Sequence, residues 1–195
     1  MDRDYDMEPP SRPTPGLTVL AFVTRRALPS DADAIALAHC ESIRSIGPRF
    51  YPPDLVGAWQ EGLTGRIYVD AMARGKVFFV ASEAGDDGVV LGFSSDYVIR
   101  GSTHGTSVYV RGSAARRGIG SSLIRAAEAH AIDTGATRVD IEASLAGVEF
   151  YRNNGYVELG RGTTRLTSGR PIDCVFMRKD LVPAPDTSVV SHDTR

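Results

Sequence analysis

The residues with the clearest chemical meaning are Arg116, Arg117, Gly118, Ile119, Gly120, Ser121 and Ser122, which follow shortly after Ser107-Val108-Tyr109-Val110. The earlier run is β-branched and aromatic and predicts a strand over Thr106 to Arg111. Ile119, Leu123, Ala127 and Ala131 recur at i, i+4 spacing and predict a helix from Gly118 to Thr134, which Gly135 ends. The glycines therefore sit at a helix N-terminus. First-turn N–H groups have no intrahelical acceptor and carry partial positive charge. Gly118 and Gly120 remove side chains that would hold an anion away, the two arginines add charge, and the two serines add hydroxyls. A phosphate or pyrophosphate is the ligand this junction suits. It is not a P-loop, because no Lys followed by Ser or Thr comes after the second glycine. Nor is it a Gly-x-Gly-x-x-Gly dinucleotide site, because Leu123 occupies the third glycine's place.

The elements that must position this junction read in order along the chain. Leu17 to Arg26 has strand character, and Ser30 with Asp33 marks the start of a helix running to about Ser45. Gly47-Pro48 ends that helix, Pro52-Pro53 opens another through Trp59, and a third covers Thr64 to Ala73. Lys76 to Ser82 and Val89 to Val98 are strands joined by a turn at Gly85-Asp86-Asp87-Gly88. After the long helix come a strand at Thr137 to Ser144, a short helix at Ala146 to Asn154, and strands at Tyr156 to Gly160 and Ile172 to Arg178. Strand, helices, three strands, helix, strand, helix and two strands predict an α/β fold, a central mixed sheet with helices on both faces.

The bulk properties narrow the class. The 195 residues fit one domain, with the folded unit expected over 17–182 and disordered tails at 1–16 and 183–195, where proline and charge replace apolar residues. A net charge of -2 gives no electrostatic case for nucleic acid or an anionic membrane. No signal peptide and no run of ~20 apolar residues is present, so a cytoplasmic location is expected. Cys40 and Cys174 are far apart and lack metal-ligand spacing, so neither a disulfide scaffold nor a bound metal is expected.

The stretch from Val110 to Leu123 resembles the acetyl-CoA motif of the GCN5-related N-acetyltransferases (GNAT), written Gln/Arg-x-x-Gly-x-Gly/Ala. Here it reads Ala115-Arg116-Arg117-Gly118-Ile119-Gly120, with Ala115 at the first position in place of Gln or Arg. Downstream, Glu142 to Tyr156 resembles the family's strand, short helix and Phe-Tyr-x-x-x-Gly-Phe segment, with Ser144 where many members have Asn. Two motifs in the right order extend the resemblance over nearly all of the folded region. It implies a GNAT-type fold and acetyl-CoA as co-substrate. It also implies that residues 115–122 hold the pyrophosphate, with Ser144 and Tyr151 beside the cofactor. The main chain of Val108, Tyr109 and Val110 would take the pantetheine and thioester, one N–H serving as an oxyanion site.

The implied reaction moves an acetyl group from the thioester to a primary amine by direct attack. Tyr151 is the candidate general acid, since a phenol with a reference pKa of ~10 keeps a proton to give to the leaving thiolate. Its rival reading is a packed core residue like Phe150 and Tyr156. Strand alternation puts Asp140, Glu142 and Ser144 on one face, which makes Glu142 the candidate base, with a solvated or ion-paired acid as the rival. His104, after Gly101-Ser102-Thr103, reads as an exposed loop residue. Phe50, Tyr51, Trp59 and Tyr68 are candidates to line the acceptor site or to pack the core. The acceptor is a small-molecule or peptide amine, and the last strands suit either a homodimer contact or the interior. A non-catalytic CoA-binding sensor or interaction module of the same fold is the alternative function.

Overall fold

The computed structural model describes residues 22–181. Both expected tails, and the ends of the expected folded unit at 17–21 and 182, lie outside the described residues. Among the described residues, seven strands form one mixed sheet: β1 (Phe22–Arg26), β2 (Val77–Glu83), β3 (Asp86–Arg100), β4 (Thr103–Val110), β5 (Arg138–Ser144), β6 (Val157–Arg165) and β7 (Pro171–Asp180). Their spatial order is β1-β2-β3-β4-β5-β7-β6. Every neighbouring pair is antiparallel except β4 and β5. Five α-helices join them: α1 (Ala32–Ile46), α2 (Pro53–Gln60), α3 (Gly65–Ala73), α4 (Ile119–Asp133) and α5 (Val148–Asn153).

Period-two alternation assigns the two faces. Along β2, Phe78 and Val80 pack with Ile35 of α1 and Tyr68 of α3, whereas Phe79 and Ala81 pack with Ile119 and Leu123 of α4. Helices therefore cover both sides. Leu123 and Ile124 of α4 are fully buried, each burial stabilising by roughly 1.5–3 kcal/mol. Beneath β5 and β7, Val139, Ile141, Ala143, Val175 and Met177 join Tyr151 and Tyr156 in a second core.

Three local expectations need correction. The β2–β3 hairpin turns at Ala84-Gly85, where Gly85 has φ +89°, and Asp86 already pairs with Glu83. The acidic dipeptide thus belongs to β3 rather than to the turn. Ser30 lies in a 3-10 turn before α1. The entry is held instead by Asp31, whose carboxylate accepts the Leu28 N–H at 2.7 Å and two Arg25 hydrogen bonds at 2.8 and 2.9 Å. Finally, β4 begins at Thr103, so His104 is a strand residue, 3% exposed, with Nδ1 2.8 Å from the Asp96 carboxylate. That carboxylate also meets Nδ1 of His130 at 2.7 Å. Cross-strand partners buried this histidine, and its neighbours in sequence gave no sign of it.

Candidate active site

The sheet is parallel only between β4 and β5, and there only at Thr103–Arg138, His104–Val139 and Gly105–Asp140. Beyond Gly105 the two strands diverge, while β4 stays paired to β3 as far as Val110. The ladder groups of β4 that face β5 are then left for other partners. Val108 N–H donates to the Tyr151 hydroxyl at 3.1 Å, whereas Arg111 N–H donates to the Leu91 carbonyl of β3 at 2.8 Å. Alternation consequently turns the main chain of Val108 and Val110 toward the gap and that of Tyr109 toward β3. Tyr109 offers the gap its side chain.

A cavity of about 540 Å³ occupies the gap, within the range of small-molecule sites. Its walls come from both faces of the sheet. Val108 and Val110 pack on the α4 side, while Tyr109 packs among Phe93 and the α1 and α3 residues. All three line the cavity, together with Ser42 and Ile46 of α1, Trp59 of α2, and Glu142, Ala143 and Ser144 of β5. The divergence thus opens a passage through the sheet.

At one end of the passage is the glycine junction. Ala115, Arg116, Gly118, Gly120 and Ser121 line it. Gly118, the residue before α4, has φ +80°, and Ser122 N–H makes the first helical bond, to the Gly118 carbonyl at 3.0 Å. Helix geometry leaves the N–H groups of Ile119, Gly120 and Ser121 pointing out of the first turn. Arg116 is also left-handed, at φ 64°, a conformation that costs a non-glycine residue about 1 kcal/mol. Two left-handed residues so close together curl the backbone and bring amides onto one concave side. Gly120 has a further reason to lack a side chain, since a Cβ there would lie 2.8 Å from the Phe150 ring. The remaining candidates turn elsewhere. The Ile119 side chain is core, 1% exposed, the Ser122 hydroxyl pairs with Thr24 of β1 at 3.0 Å, and Arg117 is not part of the cavity wall.

Sequence reasoning missed what holds this loop. Arg111 Nη1 meets Glu41 of α1 at 2.7 Å, its Nε donates to the Val90 carbonyl at 2.7 Å, and Ser113 donates to the same Glu41 at 3.2 Å. A Cβ on Gly112 would lie 2.5 Å from that of Ser45, so the loop rides directly on α1. An Arg–Glu pair 70 residues apart leaves no periodic signal in the sequence.

Midway along the passage, Tyr151 is only 6% exposed and its ring packs in the core with Tyr156 at 5.4 Å. Its hydroxyl nevertheless lines the cavity and takes the place a β5 carbonyl would hold on Val108 N–H. Burial raises its pKa above the ordinary phenol value, with nearby Tyr109 acting in the same direction. The phenol therefore keeps its proton at working pH, accepting from Val108 with its own O–H available to donate. Ser144 lines the wall and its carbonyl accepts Gly147 N–H at 2.8 Å, closing the turn into α5. Glu142 is exposed on the α1 side of β5, lines the cavity, and accepts a hydrogen bond from Thr164 of β6.

A second tyrosine braces main chain near the opening. Tyr51, 6% exposed, accepts Leu145 N–H at 2.7 Å just beyond β5 and donates to the Asp173 carbonyl at 2.8 Å. It ties the end of β5 to β7 and away from β4. Of the four aromatic candidates for the acceptor site, only Trp59 lines the cavity. Tyr51 and Tyr68 are core, and Phe50 is exposed outside the wall. Behind Tyr109, the His39 ring lies 3.7 Å away with Nδ1 2.6 Å from the Tyr68 hydroxyl. Burial, aided by the charge of Lys76, lowers His39 to about 3, so the imidazole is neutral. Burial pushes Tyr109 up to about 12.

A parallel pair that parts halfway, with a glycine-rich helix start at the opening, also characterises the fold of the known proteins this chain is similar to. Residues 74–158 match the family model described as the acetyltransferase (GNAT) domain. A GCN5-related N-acetyltransferase from Rhodopseudomonas palustris superimposes with a TM-score of 0.69 at 28% identity, over 82% of this chain and 95% of that one. The PaiA N-acetyltransferase from Thermoplasma acidophilum, solved with coenzyme A, gives a TM-score of 0.65 at 16% identity, over 82% and 99%. YncA from Salmonella typhimurium, solved with acetyl-CoA, gives 0.58 at 22% identity, over 86% and 99%. No curated protein sequence matches. The chain is thus similar in fold to the GCN5-related N-acetyltransferases and carries a match to their domain over residues 74–158. Among the described residues, no helix is long and apolar enough to cross a membrane.

Proposed function

We propose that the protein is an acetyl-CoA-dependent N-acetyltransferase that acetylates a primary amine by direct attack. One observation carries this reading: a single cavity is lined by the α4 N-terminus, by the stretch of β4 that has parted from β5, by Tyr151, and by α1 and α2 residues on the opposite face of the sheet. A long, flexible thioester with a pyrophosphate at its far end fits that shape. The solved relatives that hold coenzyme A or acetyl-CoA support the choice of ligand.

In this reading the amides of residues 119–121 and Arg116 hold the pyrophosphate. With Val108 N–H holding the Tyr151 hydroxyl, the Val110 N–H, which alternation also turns toward the gap, polarises the thioester carbonyl, and a preorganised donor costs little reorganisation as charge develops on oxygen. Tyr151 gives its proton to the departing sulfur and regains the single proton that the attacking nitrogen releases, relayed through Glu142 or water. Glu142, facing the α1 side where the amine would approach, accepts the proton lost from nitrogen, directly or through water. Ser144 flanks the pantetheine. A sensor that binds CoA without turning it over would have little use for a proton-bearing hydroxyl beside the thioester donor, and Tyr151 favours the enzyme.

Calorimetric titration with acetyl-CoA, CoA and ATP tests the ligand, and release of free thiol in the presence of amines tests the reaction. Binding of both CoA species but not ATP is expected. Absence of CoA binding refutes the assignment, and binding without thiol release for any amine leaves the sensor reading in its place.

A further inference from the structure

The wall of the passage on the α1 side differs in chemistry from the glycine-loop end. Ile46 and Ser42 come from one face of α1, Trp59 from α2, and Ser107 and Tyr109 from β4. Among the described residues, the only charged side chain lining this end is the exposed carboxylate of Glu142. The other charged lining residues lie elsewhere. Arg116 belongs to the loop before α4, and Glu149, on α5, is paired with Arg152. The groups behind this wall add no cation to it. His39, under Tyr109, is neutral, and Lys76 sits over the rings of Phe78 and Tyr97 at 5.5 and 4.3 Å, outside the cavity wall.

Resting on the acetyltransferase reading above, we propose that the acceptor is a primary amine with an apolar, aromatic body and no carboxylate beside the amine. A cationic amine approaching Glu142 gains an opposite charge, and an aromatic body gains the Trp59 ring and the rim of Tyr109, whose faces are taken by Phe93 and His39. An α-carboxylate would enter a partly desolvated wall where no described residue offers it a cation and Glu142 sets a like charge against it. Specificity of this kind comes from the penalty on the wrong substrate. The chemistry balances without a further reactant: the ammonium first gives one proton to Glu142 and so to solvent, a C–N bond forms, the thioester C–S bond breaks, and a second amine proton ends on the thiol.

The test compares phenethylamine, phenylalanine amide and phenylalanine, with acetyl-CoA affinity measured separately by calorimetry. Phenylalanine amide keeps the bulk of the amino acid without its charge. Both uncharged-tail amines should be acetylated, with kcat/KM above that of phenylalanine by on the order of 100-fold. Ile46→Lys, at the exposed end of α1, should narrow that ratio by supplying the missing cation. A ratio below tenfold overturns the proposal, as does failure of every amine in the set with a protein that binds acetyl-CoA. Failure to bind acetyl-CoA removes the cofactor reading itself, and the calorimetric arm separates the two.

Discussion

Two buried tyrosine hydroxyls hold main chain near the opening, Tyr151 on β4 and Tyr51 between the ends of β5 and β7, and replacing each by phenylalanine should give opposite balances of stability and turnover. In Tyr51→Phe, Leu145 N–H and the Asp173 carbonyl both lose a buried partner, at 2.7 and 2.8 Å in the native protein. At about 1–1.5 kcal/mol for each, the loss is about 2–3 kcal/mol, which for a domain of this size lowers Tm by roughly 4–12 °C. In Tyr151→Phe a single bond is lost, the 3.1 Å donation from Val108 N–H, and that amide faces a cavity where water can replace the phenol. The stability cost is then about 1 kcal/mol, or roughly 2–4 °C. Turnover behaves the other way. Tyr151→Phe removes the proton donor and should lower kcat by about 10²–10⁴, with acetyl-CoA affinity within about threefold of wild type. Tyr51→Phe should retain kcat within about tenfold, because it only braces the end of β5. Differential scanning calorimetry, thiol-release kinetics at saturating amine and calorimetric binding supply the three readouts. Near-normal kcat in a folded Tyr151→Phe protein would refute the acid assignment and leave Tyr151 as a packing residue.

Three further outcomes are expected. Gly120→Trp should abolish acetyl-CoA binding by calorimetry while circular dichroism shows the fold retained; unchanged affinity in a folded variant removes the glycine junction as the phosphate site. Arg116→Gly relieves a left-handed side-chain residue and should raise unfolding free energy by about 0.5 kcal/mol in urea while weakening acetyl-CoA binding severalfold, since one positive charge is lost. A fall in stability would show that the Arg116 side chain contributes more than its strain costs. His39, depressed to about 3 when folded, takes up a proton near 6.5 only on unfolding, so its share of stability is present above about 6.5 and is lost as pH falls toward 3. Between pH 6.5 and 5 this share is about 1.5 kcal/mol, and urea unfolding of His39→Gln should show a pH slope smaller by that amount. Identical slopes in the two proteins would mean that the folded imidazole titrates normally.

Local chemistry made much of this protein legible in advance. The i, i+4 pattern marked α4 within a residue or two at each end, and the left-handed turn ahead of it required Gly118. Period-two alternation put Glu142 on the face opposite Val139, Ile141 and Ala143, where it lies. These features depend on neighbours within a turn or a strand, so the pattern of residue types carries them. Other features were decided only by the tertiary structure. The Ser122 hydroxyl could not be assigned until β1 came alongside α4. Gly120 has Phe150 against it, and His104 is buried by Asp96 from the neighbouring strand. Tyr51 reaches partners 94 and 122 residues away. The parting of β4 from β5 is likewise absent from either strand's own sequence, since both are good strand formers throughout. It exists because Tyr151 occupies Val108 N–H and Tyr51 draws the end of β5 toward β7. Sequence periodicity dictates which elements form and which way their side chains face. Where two of them stop pairing is settled by side chains that arrive from elsewhere in the chain, and in this protein the cavity lies at that place.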